Sequence, residues 1–187
     1  MPQQALEMGI DGWLPGLRRV DSPNADARPA RTPVTLVVIH NISLPPGSYG
    51  GIHIESLFCN RLAAGGNAFL GRLAGVRVSS HFLIERDGRC TQFVSCLDRA
   101  WHAGVSAFRG RANCNDYSIG IELEGTDFEP YTAAQYARLN ALLAALRAAF
   151  PIEAIVGHSR IAPGRKTDPG PYFDWGRLEV PPPLLQL

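Results

Sequence analysis

Ala154-Ile155-Val156-Gly157-His158-Ser159-Arg160-Ile161-Ala162-Pro163-Gly164-Arg165-Lys166-Thr167-Asp168-Pro169-Gly170-Pro171 joins an apolar run to a loop dense in charge. The run Ala154-Ile155-Val156 predicts a buried strand. His158 falls where that strand stops. Pro163, Pro169 and Pro171, with Gly164 and Gly170, then fix the backbone. Prolines restrict the chain before it folds, so such a loop loses little entropy when it holds charged groups in one geometry. Arg165, Lys166 and Asp168 all sit on it. A rigid loop carrying a His, a Lys and an Asp at a strand end has the character of a site. Taken alone, it reads slightly better as a surface loop with a capping Asp.

A second stretch has the same construction. Val34-Thr35-Leu36-Val37-Val38-Ile39-His40 is apolar on both faces, which predicts a central strand. His40 ends it, followed by Asn41 and the loop Leu44-Pro45-Pro46-Gly47. Two histidines, each closing a buried strand, are expected to converge at one sheet edge. Asp116 to Gly125 alternates strictly, with Ile119, Ile121 and Leu123 on one face and Ser118, Gly120, Glu122 and Glu124 on the other. Gly120 leaves space beside Glu122. A carboxylate beside a gap is a candidate general base; the plainer expectation is a wet sheet face.

Other elements frame these three. Arg77 to Arg86 predicts a strand, and Asp87-Gly88 a tight turn into a hairpin partner, Cys90 to Val94. His81 lies in the first of these, on the face of Leu83, as suited to a buried hydrogen bond as to a function. Thr132 to Phe150 predicts the longest helix. Thr132 and Gln135 have capping-box spacing, and Tyr136, Leu139, Leu143, Leu146 and Phe150 form its apolar stripe. Residues 47–75 read as a long loop with a short helix over Ile54 to Leu62, with His53 exposed to solvent. Residues 1–33, broken by four prolines after position 14, read as an irregular lead-in, with Trp13, Leu14 and Leu17 packing on the body. Phe173 to Leu178 reads as a last helical turn. Trp101-His102 sits on a Gly-containing loop, equally suited to binding a sugar or peptide face and to plain packing.

Composition narrows the class. A chain of 187 residues with 45% hydrophobic residues supports one domain with a core, over residues 1–187. A formal net charge of +1 makes no case for nucleic-acid or membrane binding. No apolar run approaches the roughly 20 residues that span a bilayer. Met1 to Asp11 has no signal-peptide pattern, so the expected location is cytoplasmic. Cys59, Cys90, Cys96 and Cys114 have no Cys-x-x-Cys spacing and are expected to be free thiols.

No phosphate loop, dinucleotide fingerprint or nucleophile elbow is present. A metal centre fits better. His40, His158 and Asp168 offer two nitrogens and one oxygen, which leaves a tetrahedral zinc one open position. Water there would be acidified to a pKa of about 7. Glu122 is then placed to take a proton, and Lys166 to stabilise an oxyanion. That set describes amide hydrolysis.

The run Val38 to Gly47 resembles the first zinc-ligand motif of the cytoplasmic 1,6-anhydro-N-acetylmuramyl-L-alanine amidases. Arg77-Val78-Ser79-Ser80-His81, Trp101 to Ser106, Cys114-Asn115-Asp116, Gly120 to Asp127 and Lys166 to Pro171 are similar too. The resemblance runs in order over roughly residues 10–178. It implies the α/β fold shared with peptidoglycan recognition proteins, a mixed central β-sheet flanked by helices. It implies one zinc ion per chain on His40, His158 and Asp168, with Glu122 and Lys166 as the catalytic pair. It also implies that Asn41 and Arg77 contact substrate, with Trp101 and His102 near the cleft. The implied substrate is a muropeptide, cut between the lactyl carbonyl of anhydromuramic acid and L-alanine, with no obligate protein partner. An Arg such as Arg77 suits a peptide carboxylate. Gly164 stands where the family commonly has an acidic residue, and Asn113 where a basic one is expected. A broader muramyl-alanine amidase and a binding-only recognition module are the competing readings. The presence of all five metal and catalytic candidates ranks the module low.

Overall fold

A strand that is apolar on both faces needs cover on both, and the segment around Leu36–Ile42 has it. The computed structural model describes residues 6–185. Its strands are β1 (Arg18–Arg19), β2 (Ala25–Ala27), β3 (Leu36–Ile42), β4 (Phe82–Ile84), β5 (Cys90–Gln92), β6 (Asp98–Ala100), β7 (Ala107–Phe108), β8 (Arg111–Ala112), β9 (Ser118–Glu124) and β10 (Ala154–Gly157). Its α-helices are α1 (His53–Phe58), α2 (Ala68–Leu73), α3 (Ala133–Ala149) and the single turn α4 (His158–Ile161). Six strands make the main sheet in the order β1-β5-β4-β9-β3-β10. β4, β9, β3 and β10 run parallel, and β5 is antiparallel to β4. The sheet is therefore mixed, with helices packed against it, as expected.

Side-chain alternation divides the sheet. Val37, Ile39, Ile119, Ile121, Leu123 and Ile155 face α3, whose Tyr136, Leu139, Leu143 and Leu146 pack against them. On the other face, Leu83 packs with Ile54, Leu57 and Phe58 of α1 and Leu70 of α2. Leu36, Val38 and Val156 pack there with Ala103, Tyr117 and Ile161. His40 and Glu122 belong to this second face. It is not wet: Ser118 is fully buried, and Glu122 and Glu124 are buried as well.

Helix α3 starts as its sequence indicates. The Thr132 hydroxyl accepts from the Gln135 amide, and the Gln135 side chain accepts from the Thr132 N–H. Gln135 is itself buried and donates to the Glu124 carbonyl at 2.8 Å. Its capping role thus also ties the helix to β9.

Several boundaries differ from the sequence expectation. The lead-in is not wholly irregular: Arg18–Arg19 pairs with β5 and Ala25–Ala27 with β6. Pairs of two or three residues are too short to show a side-chain period. The strand expected from Arg77 begins its ladder only at Phe82. The helix expected to reach Leu62 stops at Phe58, and Asn60 takes a left-handed φ of 57°. A second helix, α2, occupies part of the expected loop, capped by the Asn67 side chain. His53, expected exposed, is half-buried in the first turn of α1.

Leu143 is fully buried between α3 and the sheet. Leu143→Ala should cost about 2–5 kcal/mol in urea unfolding. Thr132→Ala should cost about 1 kcal/mol by loss of the cap.

Candidate metal centre

Parallel pairing sets Glu122 on β9 across from His40 on β3, and Gly157 on β10 across from Ile39. His158, one residue further, is level with His40. All three lie at the carboxyl ends of neighbouring parallel strands, where open α/β sheets place their sites. The loop after α4 folds back so that the Ser159 amide donates to the Asp168 carbonyl at 3.0 Å. Gly157 permits this return, because a Cβ there would stand 2.7 Å from the Pro169 ring.

The result is a triangle of donor atoms. His40 Nδ1 is 2.9 Å from His158 Nδ1, and each is 3.0 Å from Asp168 Oδ2. His40 and His158 are buried, and Asp168 is nearly so. Burial pushes the Asp168 carboxyl up, but the imidazoles against it outweigh that and hold it well below the usual carboxylate range. Burial also pushes His40 down to about 4, so its ring is neutral at physiological pH. The outer nitrogen of His158 faces the Ala103 carbonyl at 3.1 Å. A carbonyl only accepts, so that Nε2 carries a proton and a neutral ring has its lone pair at Nδ1. Two imidazole nitrogens and one carboxylate oxygen converging within 3 Å are the donor set of an open zinc site. The residues present fit that ion.

Glu122 completes the arrangement. It is buried, and its Oε2 has no hydrogen-bond partner among the described residues. Burial, with the Asp168 carboxylate nearby, pushes its carboxyl well above the ordinary range; the Lys166 ammonium works against this. Lys166 is exposed on the loop; its backbone amide donates to the Ala162 carbonyl at 3.0 Å, and its side chain has no hydrogen bond or ion pair among the described residues. The structure thus brings His40, His158, Asp168 and Glu122 together, with the Lys166 charge close enough to act on Glu122.

The other expected site residues are placed differently. Asn41 donates to Asp127 Oδ1 at 2.7 Å and to the Pro169 carbonyl at 3.2 Å, bracing the rim. It also lines a cleft of about 600 Å³ with Ser43, Leu44, Phe69, Thr126 and Phe128. Arg77 is exposed and unpaired among the described residues. Trp101 is half-buried, and its indole N–H donates to Asp26 at 3.2 Å. His102 is buried behind His40, with its Nδ1 2.9 Å from His40 Nε2. The gap at Gly120 is not open beside Glu122; the His102 ring fills it, and a Cβ there would meet His102 Cγ at 2.5 Å. His81 is structural: its Nδ1 accepts from the Gly120 amide at 3.0 Å. Both departures from the expected motif have left-handed backbones, with φ of 75° at Gly164 and 58° at Asn113, which these residues tolerate.

Residues 30–171 match the N-acetylmuramoyl-L-alanine amidase family model, and the chain belongs to that family. Over 171 residues it is 54% identical to the 1,6-anhydro-N-acetylmuramyl-L-alanine amidase AmpD of Escherichia coli K12, covering 90% of this chain and 93% of that protein. It superposes on the crystal structure of a selenomethionine AmpD derivative with a TM-score of 0.86 at 52% identity, covering 89% of this chain and 94% of that one. It also matches E. coli AmiD in complex with the substrate anhydro-N-acetylmuramic acid-L-Ala-D-γ-Glu-L-Lys, with a TM-score of 0.58 at 30% identity over 94% of this chain and 65% of that one. A Drosophila peptidoglycan recognition protein, PGRP-SA, shares the fold at 20% identity, with a TM-score of 0.58 over 90% of this chain and 88% of that one.

Zinc-loaded protein, freed of excess metal, should hold close to one zinc per chain by elemental mass spectrometry. His158→Ala and Asp168→Ala should each retain far less while keeping the wild-type far-UV circular dichroism.

Proposed function

We propose that this chain is a zinc-dependent amidase that hydrolyses the bond between the lactyl carbonyl of 1,6-anhydro-N-acetylmuramic acid and L-alanine in cell-wall muropeptides. The observation that carries the reading is the triangle of His40, His158 and Asp168 with the unpartnered Glu122 carboxyl beside it. The names of the relatives supply the substrate class. A zinc ion held by the triangle would supply a Lewis acid and acidify water to near neutrality.

The chain's own groups do the rest. Glu122 Oε2 accepts the proton of the attacking water and returns it to the L-alanine nitrogen as the amide C–N bond breaks. A carboxyl whose hold on the proton is raised by burial suits both halves of that task, because it takes the proton more readily than an ordinary carboxylate and keeps it for the leaving nitrogen. Lys166 brings a positive charge to the carbonyl oxygen as negative charge builds on it. Asn41 and Arg77 are read as substrate contacts, with Trp101 at the cleft. The 600 Å³ cleft beginning at Asn41 suits a sugar with a short peptide. We read the whole chain as one amidase domain working in the cytoplasm on a recycled wall fragment. Four free cysteines, three of them buried, suit a reducing compartment, and no helix among the described residues is long and apolar enough to cross a membrane.

The test is product analysis by mass spectrometry on anhydromuramyl-tripeptide and non-anhydro muramyl-tripeptide, with and without chelator. Free tripeptide should appear from the anhydro form and disappear with chelator. Equal cleavage of both forms would point to a broader amidase, and binding without cleavage to a recognition module. Glu122→Gln should lower kcat by about 10²–10⁴-fold with zinc content unchanged.

A further inference from the structure

Residues 102–103 touch the outer nitrogen of both histidines of the triangle. Ala103 offers its carbonyl to His158 Nε2 at 3.1 Å. The same carbonyl accepts from Arg165 Nη2 at 2.8 Å. His102 offers its ring to His40. Both residues are pinned from below: the Asn115 side-chain oxygen accepts from the His102 amide at 3.2 Å and the Ala103 amide at 2.8 Å.

The protons on the His40 side can be assigned by elimination. The Ser118 hydroxyl lies 2.6 Å from the Cys114 carbonyl. A carbonyl cannot donate, so the single Ser118 proton goes there. Ser118 Oγ also lies 3.1 Å from His102 Nε2, and with its proton spent it can only accept. His102 Nε2 therefore carries a proton. The buried His102 ring touches His40 and Ser118 and, among the described residues, has no carboxylate against it to balance a second proton, so its Nδ1 is bare. The 2.9 Å contact to His40 Nε2 must then be a donation from His40 to His102. That leaves the His40 lone pair on Nδ1, aimed at Asp168 and His158.

We infer that His102 and Ser118 are positioning residues that fix the tautomer of His40, and that the His102–Ala103 segment orients both histidine ligands at once. The inference rests on the metal-centre reading above. Gly120 belongs to the device, because any larger residue would displace the His102 ring. Reversing the Ser118 bond would place a proton on His102 Nδ1, and His40 would then turn its own proton toward the metal position. Outer partners of ligating histidines act in this way on metal affinity, by about 10–100-fold.

The test uses zinc affinity by chelator competition and long-range 1H–15N NMR on the zinc-loaded wild-type protein. The spectrum should show the His102 proton on Nε2. Ser118→Ala and His102→Leu should bind zinc about 10–100-fold more weakly. His102→Asn keeps an acceptor near the Nδ1 position and should recover most of that loss. A role in packing alone predicts equal losses for Leu and Asn, which would overturn the inference. A proton on His102 Nδ1, or wild-type affinity in both Ser118→Ala and His102→Leu, would also overturn it while leaving the metal centre standing. A wild-type protein that takes up no zinc would overturn the metal-centre reading itself, and the clamp with it.

Discussion

The site depends on one constraint, the shared register of three parallel strands. β9, β3 and β10 are locked by backbone hydrogen bonds, with Glu122 opposite His40 and Gly157 opposite Ile39. A slip of one residue in any of them would turn the chemistry into the α3 core, since the side-chain period of a strand is two. The register is held by burial on that same α3 face, where Val37, Ile39, Ile119, Ile121 and Ile155 are all essentially inaccessible. The apolar core and the polar site are thus two faces of one sheet.

Precision beyond the sheet comes from the loops. Asp168 reaches the histidines because the chain doubles back over Gly157, and the Tyr131 hydroxyl donates to the Pro169 carbonyl at 2.7 Å. Arg165 joins that loop to the segment behind the histidines by donating to the carbonyls of Ala103 and Val105. Catalytic geometry needs this second layer, because a ligand ring free to rotate would lose its aim. Burial makes His40 costly to charge, so it serves as a neutral donor rather than as an acid.

Much of this was legible in the residues. The core around β3 announced itself by apolar residues on both faces, and α3 by its Thr132–Gln135 cap and leucine stripe. His40 and His158 stood out as histidines closing buried strands, and Asp168 as an acid on a proline-fixed loop. What stayed hidden depended on tertiary contact. His102 read only as half of a Trp-His pair on a Gly-containing loop, because its partner Ser118 is 16 residues away in β9. The gap at Gly120 was visible, but its occupant was not. The polar residues of β9 suggested a wet face, and only the segment folded over them shows that the face is interior. The short pairs β1 and β2 carried no pattern that a sequence reading could use.

The proposed metal centre is built from His40, His158 and Asp168 with no sulfur ligand, although the chain has four free thiols. Zinc K-edge X-ray absorption on protein loaded with one equivalent tests it most directly. Nitrogen and oxygen neighbours are expected at about 2.0–2.2 Å, with outer-shell scattering from two imidazoles. A neighbour at about 2.3 Å, the zinc–thiolate distance, or a shell without imidazole scattering, would contradict it.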